Sequence, residues 1–287
     1  MSDKIDKTHR NSGRIFKTCK WGMIQGGTKT ALEKFRLCKE VGFDGMELTN
    51  PLNFGEPDAD GSTDKDARID EILAAARETQ MPVHGLVNIQ GNRKAHIASP
   101  DEATREKGRK LLEQSVRNCH AYGGRAVLLV PGRVNKTDQT HDDVWKRSIE
   151  QIRKVLPLAS RLGIRICIET VQNGFCEKPE LLRDYIDEIN SPWFGVWLDI
   201  GNVRKFGPSE NWVRVLGTRT VKLDVKGWSK KRLFKSKIGD DDINWPAVCD
   251  ALAETNFAGW AAAEVPGGGR EWLADVSQRM DRVMEIK

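Results

Sequence analysis

The chain has 287 residues, 39% of them hydrophobic and 30% charged, with 46 Lys and Arg against 41 Asp and Glu for a net charge of +5. That composition excludes a disordered or fibrous chain and contains no run of the roughly 20 apolar residues that a membrane helix needs. The charge balance is too even for the concentrated basic stripe of a nucleic-acid binder, and length alone leaves one large domain or two small ones open.

The opening MSDKIDKTHRNSGR is polar and has no apolar segment behind it, so residues 1–12 read as a flexible tail on an unexported, cytoplasmic protein. Short β-type runs then alternate with longer stretches rich in Ala, Leu, Glu, Lys and Arg. The first strand is expected over IFKTCKW (Ile15 to Trp21), followed by a helix in TKTALEKFRLCKEVG. DGMELT (Asp44 to Thr49) is the second, separated by the long polar loop NPLNFGEPDADGSTDKD from a helix over KDARIDEILAAARET. PVHGLVN, RAVLLV and IRICIET supply the third to fifth strands, with helical patterns in PDEATREKGRKLLEQSVRNCHAYG, VWKRSIEQIRKVLPLASRLG and KPELLRDYIDEIN after them. GVWLDI, TVKLDVKG and WAAAEV complete eight, each again followed by an amphipathic stretch. The six cysteines, Cys19, Cys38, Cys119, Cys167, Cys176 and Cys249, contain no CxxC pair, which points to reduced thiols rather than a zinc ribbon or redox couple.

Eight strand-helix units without a break in composition predict an α/β protein built as a single (β/α)8 TIM barrel over residues 13–287. A doubly wound open sheet is the alternative, but no GxGxxG or GxxxxGK[ST] follows the first strand.

In such a barrel the C-terminal strand ends carry the chemistry. Here Glu47 ends the second strand, Glu169 the fifth, Asp199 the sixth and Glu264 the eighth, while His84 lies in the third and Asp224 in the seventh. Along TVKLDVKG the two-residue period sets Lys222, Asp224 and Lys226 on the face opposite Val221, Leu223 and Val225, so the charged face points inward. One acidic strand end is usually a solvated loop residue or a helix cap. Several converging in a water-poor cavity repel one another and call for a cation, most economically a divalent metal. Glu47 and His84 join the site as substrate-binding candidates, although a histidine there is more often a satisfied residue of the barrel wall. The basic run KGWSKKRLFKSK after the seventh strand is ordinarily a solvated loop; at a barrel mouth it makes Lys226 and Arg232 candidate anchors for substrate oxygens. Trp21, Trp197 and Trp228 are open to two readings, core packing or an aromatic wall against a sugar ring, and Trp228 joins the substrate-binding candidates.

The residues CIET, WLDIGN, VKLDVKG and IGDDDINWPAVCDALAETNFAGWAAAEVPGG resemble the xylose isomerase-like sugar isomerases and epimerases, also called endonuclease IV-like barrels, and the resemblance runs from about Gly13 onward. It implies one divalent metal held by a Glu, an Asp, a His and a second Glu from strands five to eight, which fall on Glu169, Asp199, Asp224 and Glu264. The chain departs from the family pattern twice, with Asp224 where the family has His and Asn202 where many relatives carry a second His. The first departure makes an all-oxygen set, favouring Mn(II) or Mg(II), with Co(II) or Zn(II) as the other options. Asn202 joins the substrate-binding candidates.

The activity implied is proton shuttling beside a carbonyl through a cis-enediolate, with Glu169 and Glu264 as the exchanging carboxylates. Epimerisation and aldose-ketose isomerisation both follow from it, and a lyase or hydratase acting on a 3-keto sugar would begin with the same step. An endonuclease of this barrel type would need a His-rich trinuclear zinc cluster, and the five histidines (His9, His84, His96, His120, His141) lack the spacing for it. A sugar-binding barrel without activity would not need the paired glutamates. The expected partner is a small-molecule sugar, neutral or keto rather than phosphorylated; no nucleic acid or membrane is expected, and homo-oligomers are compatible with the reading.

Overall fold

The computed structural model describes residues 15–50, 65–88, 91, 95–135, 137 and 139–286. The expected tail and most of the polar loop after the second strand lie outside the described residues. Eight strands, β1 (Ile15–Lys20), β2 (Gly45–Asn50), β3 (Val83–Asn88), β4 (Ala126–Leu129), β5 (Arg165–Ile168), β6 (Phe194–Asp199), β7 (Thr220–Val225) and β8 (Gly259–Ala263), pair in sequence order into a closed barrel. All neighbours are parallel, and β8 closes on β1 with Ile15 opposite Gly259. The single (β/α)8 barrel is therefore the fold, and the open sheet is ruled out.

Helices α1 (Ala31–Glu40), α2 (Lys65–Thr79), α3 (Glu102–Ala121), α4 (His141–Leu162), α5 (Pro179–Ile189), α6 (Ile200–Arg204), α7 (Ser209–Leu216), α8 (Trp245–Glu254) and α9 (Arg270–Met284) lie along the crossovers. Local chemistry sets their ends. Thr30 and Thr140 make capping boxes with Glu33 and Asp143, and Asn244 caps α8 by accepting from the Ala247 N–H. Gly163 ends α4 in the left-handed conformation. Along α4, Val144, Ser148, Ile152, Val155 and Ala159 recur at helical spacing and are buried against the barrel's outer wall.

Because both faces of the parallel strands are covered, β4 and β6 are buried along their whole length. A separate apolar cluster of Ala126, Leu128, Cys167 and Trp197 fills the barrel interior. Trp197, fully buried, is thus an interior packing residue. It needs the space left by Gly85, where an added Cβ would lie 2.6 Å from the Trp197 ring and 2.7 Å from Glu47 Oε1.

The expected faces of β7 hold for Lys222, Asp224, Leu223 and Val225, but Val221 differs. Pairing steps from Val196–Thr220 to Trp197–Lys222, leaving Val221 out of the ladder and packed toward the interior cluster. Such a bulge re-aims the residues beyond it. The six cysteines are free thiols, all buried, and no described helix is long and apolar enough to cross a membrane.

Candidate active site

The four strand-end carboxylates meet at the C-terminal mouth. One oxygen from each of Glu169, Asp199, Asp224 and Glu264 lies within 4.8 Å of the others. Glu169 and Glu264 stand one residue beyond β5 and β8, yet their N–H groups still bond to the neighbouring strands, at Leu129 O and Val225 O, both at 3.0 Å. Asp199 and Asp224 sit side by side in the β6–β7 register. The sheet itself therefore places the cluster.

Asp199 divides its two oxygens. Oδ1 accepts from the Gly201 and Asn202 N–H groups at 2.9 Å, capping α6, while Oδ2 faces Lys226 at 2.7 Å. This cap explains why the chain turns into a short helix at Ile200, where the sequence pattern suggests continued strand. Glycine is needed next, since a Cβ at Gly201 would lie 2.5 Å from Lys226 Cγ and 2.8 Å from its carbonyl oxygen. Asn202 donates to Glu169 Oε1 at 2.8 Å and to Thr170 O at 3.2 Å, so it orients a carboxylate rather than standing free at the mouth.

Two ammonium groups enter the cluster. Lys20, at the end of β1, lies 2.8 Å from Asp224 Oδ2 and 2.7 Å from Glu264 Oε2. Lys226 reaches Glu264 Oε1 at 3.1 Å besides Asp199. The surroundings drive the carboxyl groups apart. Burial, reinforced by the Glu264 and Asp199 charges, raises Glu169 well above the usual carboxylate range, and burial does the same to Asp224 against the pull of Lys20. Burial also raises Asp199, partly countered by Lys226. At Glu264 burial acts in the same upward direction, but Lys20, Asp224 and Lys226 outweigh it and hold the group well below its ordinary value. Burial disfavours the charged form of both lysines, yet the surrounding carboxylates raise them.

Below the cluster, beside the apolar residues of the interior, runs a buried column of alternating charge. Glu47 Oε2 is 3.9 Å from Lys20, and its Oε1 is 2.5 Å from Lys222, with both Glu47 and Lys222 fully buried. Lys222 also lies 3.2 Å from His84 Nδ1, 3.3 Å from Thr18 Oγ1 and 4.6 Å from the Trp197 ring. His84 stacks on Trp260 with ring centroids 5.0 Å apart. Glu47 and His84 are thus joined through Lys222, one step removed from the four carboxylates.

Burial, then the Lys222 and Arg125 charges, lower His84 to about 2. A depressed folded pKa means that the neutral imidazole stabilises the fold above the unfolded value near 6.5, and this contribution is lost as pH falls from there toward 2. Unfolding midpoints in urea from pH 7.5 to 5 should fall more steeply for the native chain than for His84→Asn, by up to about 1.4 kcal/mol per pH unit below 6.5. Parallel profiles would mean that His84 titrates normally.

At the mouth, Phe234 presents its ring 5.3 Å from Lys226 Nζ and is 39% exposed. Trp228, by contrast, is 7% exposed and lies under the Arg204 guanidinium at 5.7 Å. Arg232 turns back within its own loop and donates to the Asp240 carbonyl. The structure therefore brings Lys226 and Asn202 to the cluster but neither Trp228 nor Arg232. Lys20 and Phe234 are the residues missed in the sequence. For Lys20 a signal existed, since it ends β1 on the inward face, whereas Glu47, expected at a strand end, lies in the middle of β2 in register with Lys20, because β2 runs on to Asn50.

The donor set is all oxygen, and Asp224 Oδ1 is buried without a hydrogen-bond donor among the described residues. Hard, converging carboxylates with an oxygen to spare fit a divalent ion. Two lysines already among them distinguish this site from a simple four-ligand cage.

Comparison with known proteins agrees with this architecture. The chain is 23% identical over 262 residues to L-ribulose-5-phosphate 3-epimerase UlaE of Salmonella paratyphi A, covering 84% of this chain and 88% of that protein. The solved structure of 3-keto-D-glucoside 4-epimerase YcjR from E. coli superposes with a TM-score of 0.75 at 18% identity, over 95% of this chain and 99% of the other. The IOLI protein, solved with a binding zinc atom, also gives 0.75, at 15% identity over 94% and 98%. The family model described as xylose isomerase-like TIM barrel matches residues 35–284. With nearly the whole barrel inside that match, the chain belongs to the xylose isomerase-like TIM barrel family.

Proposed function

We propose that the chain is an epimerase or isomerase of a sugar or sugar derivative, working by proton transfer beside a carbonyl. The observation that carries this reading is the convergence of two glutamates, Glu169 and Glu264, in one four-carboxylate cluster at the barrel mouth. Two carboxylates facing one substrate can remove a proton and return it. One of the pair takes the proton and the other gives one back. Asn202 fixes the orientation of Glu169 for its part. Return to the same carbon from the opposite face gives an epimer; return to its neighbour gives the isomer.

A divalent ion held by Glu169, Asp199, Asp224 and Glu264 would supply Lewis-acid stabilisation of negative charge developing on the substrate oxygens, with Mn(II) or Mg(II) favoured by the oxygen ligands. The sugar substrates in the relatives' names support the substrate class. Phe234 offers an apolar face beside Lys226, suited to a neutral or keto sugar.

Solvent deuterium incorporation into a panel of ketoses and 3-keto sugars, with Mn(II) added, tests the proton step whatever the product. Incorporation at a carbon next to the carbonyl is expected. Its absence across the panel, with metal verified in the protein, would overturn the reading.

Metal binding has its own expected result. An ion that binds only the folded chain stabilises it by about 2.7 kcal/mol at a free concentration 100-fold above Kd, so chelation should lower Tm by several degrees. An unchanged Tm after verified removal counts against the site. Asp224→His should move the preference from Mn(II) toward zinc or cobalt, read by competitive metal binding. A preference that stays with Mn(II) would remove Asp224 from the ligand set.

A further inference from the structure

Three carboxylates of the cluster, Asp199, Asp224 and Glu264, are bridged by cations that belong to the chain. Glu264 receives one ammonium on each oxygen, Lys20 on Oε2 and Lys226 on Oε1, and each lysine spans to a second carboxylate, Asp224 or Asp199. Three of the four carboxylates that would hold an ion are therefore committed to lysine ammonium groups. Lys20 is fixed from below by Glu47, and its side chain is 15% exposed, while that of Lys226 is 14% exposed, so both lie at the cavity rather than in open solvent.

Charge shows why both cations fit here. Asp224 adds a negative charge where a neutral imidazole would add none, and the four carboxylates together carry more charge than one divalent ion neutralises. Two ammonium groups and one divalent ion balance four carboxylates. The same ammonium groups lie on the oxygen atoms that an ion must coordinate, and a divalent cation placed among them would face repulsion at roughly 4 Å.

We propose that Lys20 and Lys226 are built-in competitors for the metal position, holding the carboxylates together in the metal-free chain and moving off Glu264, Asp224 and Asp199 when a divalent ion is coordinated. This rests on the reading of the cluster as a metal site. The lysines remain beside the ion after displacement, where they balance the two carboxylate charges that the ion leaves and keep two N–H-rich groups at the mouth. The competition makes loading weaker than the ligand count suggests. It also makes the empty barrel more stable than four facing carboxylates would allow.

The test is Mn(II) binding by calorimetry, without sugar, to the native chain, Lys20→Met, Lys226→Met and the control Lys235→Met, whose side chain is exposed on the loop beyond β7. The two site variants should bind Mn(II) at least about tenfold more tightly than the native chain, with a lower Tm in chelator, while the control changes the affinity by less than about threefold. If a site variant folds only with metal present, metal release is measured instead by competition with a chelator of known affinity, and slower or weaker release than from the native chain carries the same meaning. Native affinity that is unchanged or weakened in both site variants overturns the competition and leaves the metal reading standing. Failure of every variant to bind Mn(II), Mg(II), Co(II) or Zn(II) removes the metal site and the competition together.

Discussion

Glu264→Gln or Glu169→Gln should lower deuterium exchange into the substrate by about 10²- to 10⁴-fold at saturating metal, the usual loss when general acid-base help is removed. The amide keeps the shape of the side chain and one coordinating oxygen but cannot carry the proton. Glu264 is the more informative of the two, because removing its charge also leaves Lys20 and Lys226 short of a shared partner. Sugar binding, measured by calorimetry under the same conditions, should change far less than exchange does. Were either variant to exchange protons at near the native rate, that glutamate would be a ligand only, and the proton would have to move through Asp224 or a lysine.

Much of the site could be read from strand ends because a parallel barrel converts sequence period into radial position. Glu169, Asp199 and Glu264 are each the last inward position of their runs, Asp224 stands one inward step before Lys226, and the backbone bonds of Glu169 and Glu264 hold that register past the strands' formal ends. Lys20 obeys the same rule at the end of β1 but is not legible from it, because a lysine at a strand end reads as a solvated side chain unless its facing carboxylates are already in place. The loop beyond β7 was harder. KGWSKKRLFKSK offers two aromatic residues, Trp228 and Phe234, and nothing in the local pattern says which faces the cavity. The answer depends on the Ser229–Leu233 bridge, which folds the loop back on itself, leaving Trp228 beneath Arg204 and Phe234 over Lys226. Val221 departs from its expected face for a related reason, since a bulge is a property of two paired strands and not of one.

Lys222→Met should cost about 3–5 kcal/mol of folding stability, a large part of the total for a domain of this kind, because it leaves the Glu47 carboxylate buried with only the more distant Lys20 as a cation. Methionine fills a similar volume, so the loss would come from the stranded charge rather than from a cavity. Glu47→Gln strands the opposite charge and should also destabilise, although Thr18 and His84 still lie within reach of the ammonium. The double variant Glu47→Gln/Lys222→Met removes both charges and should be more stable than Lys222→Met alone, with the two single effects far from additive. Urea midpoints at constant m-value would measure this. A Lys222→Met cost below about 1 kcal/mol, or additive effects in the double variant, would show that the buried column is not held by the pair. The outcome bears on the active site as well, because Glu47 also faces Lys20 from below. With Glu47 neutral, Lys20 is held only by Asp224 and Glu264, the carboxylates at the reacting centre.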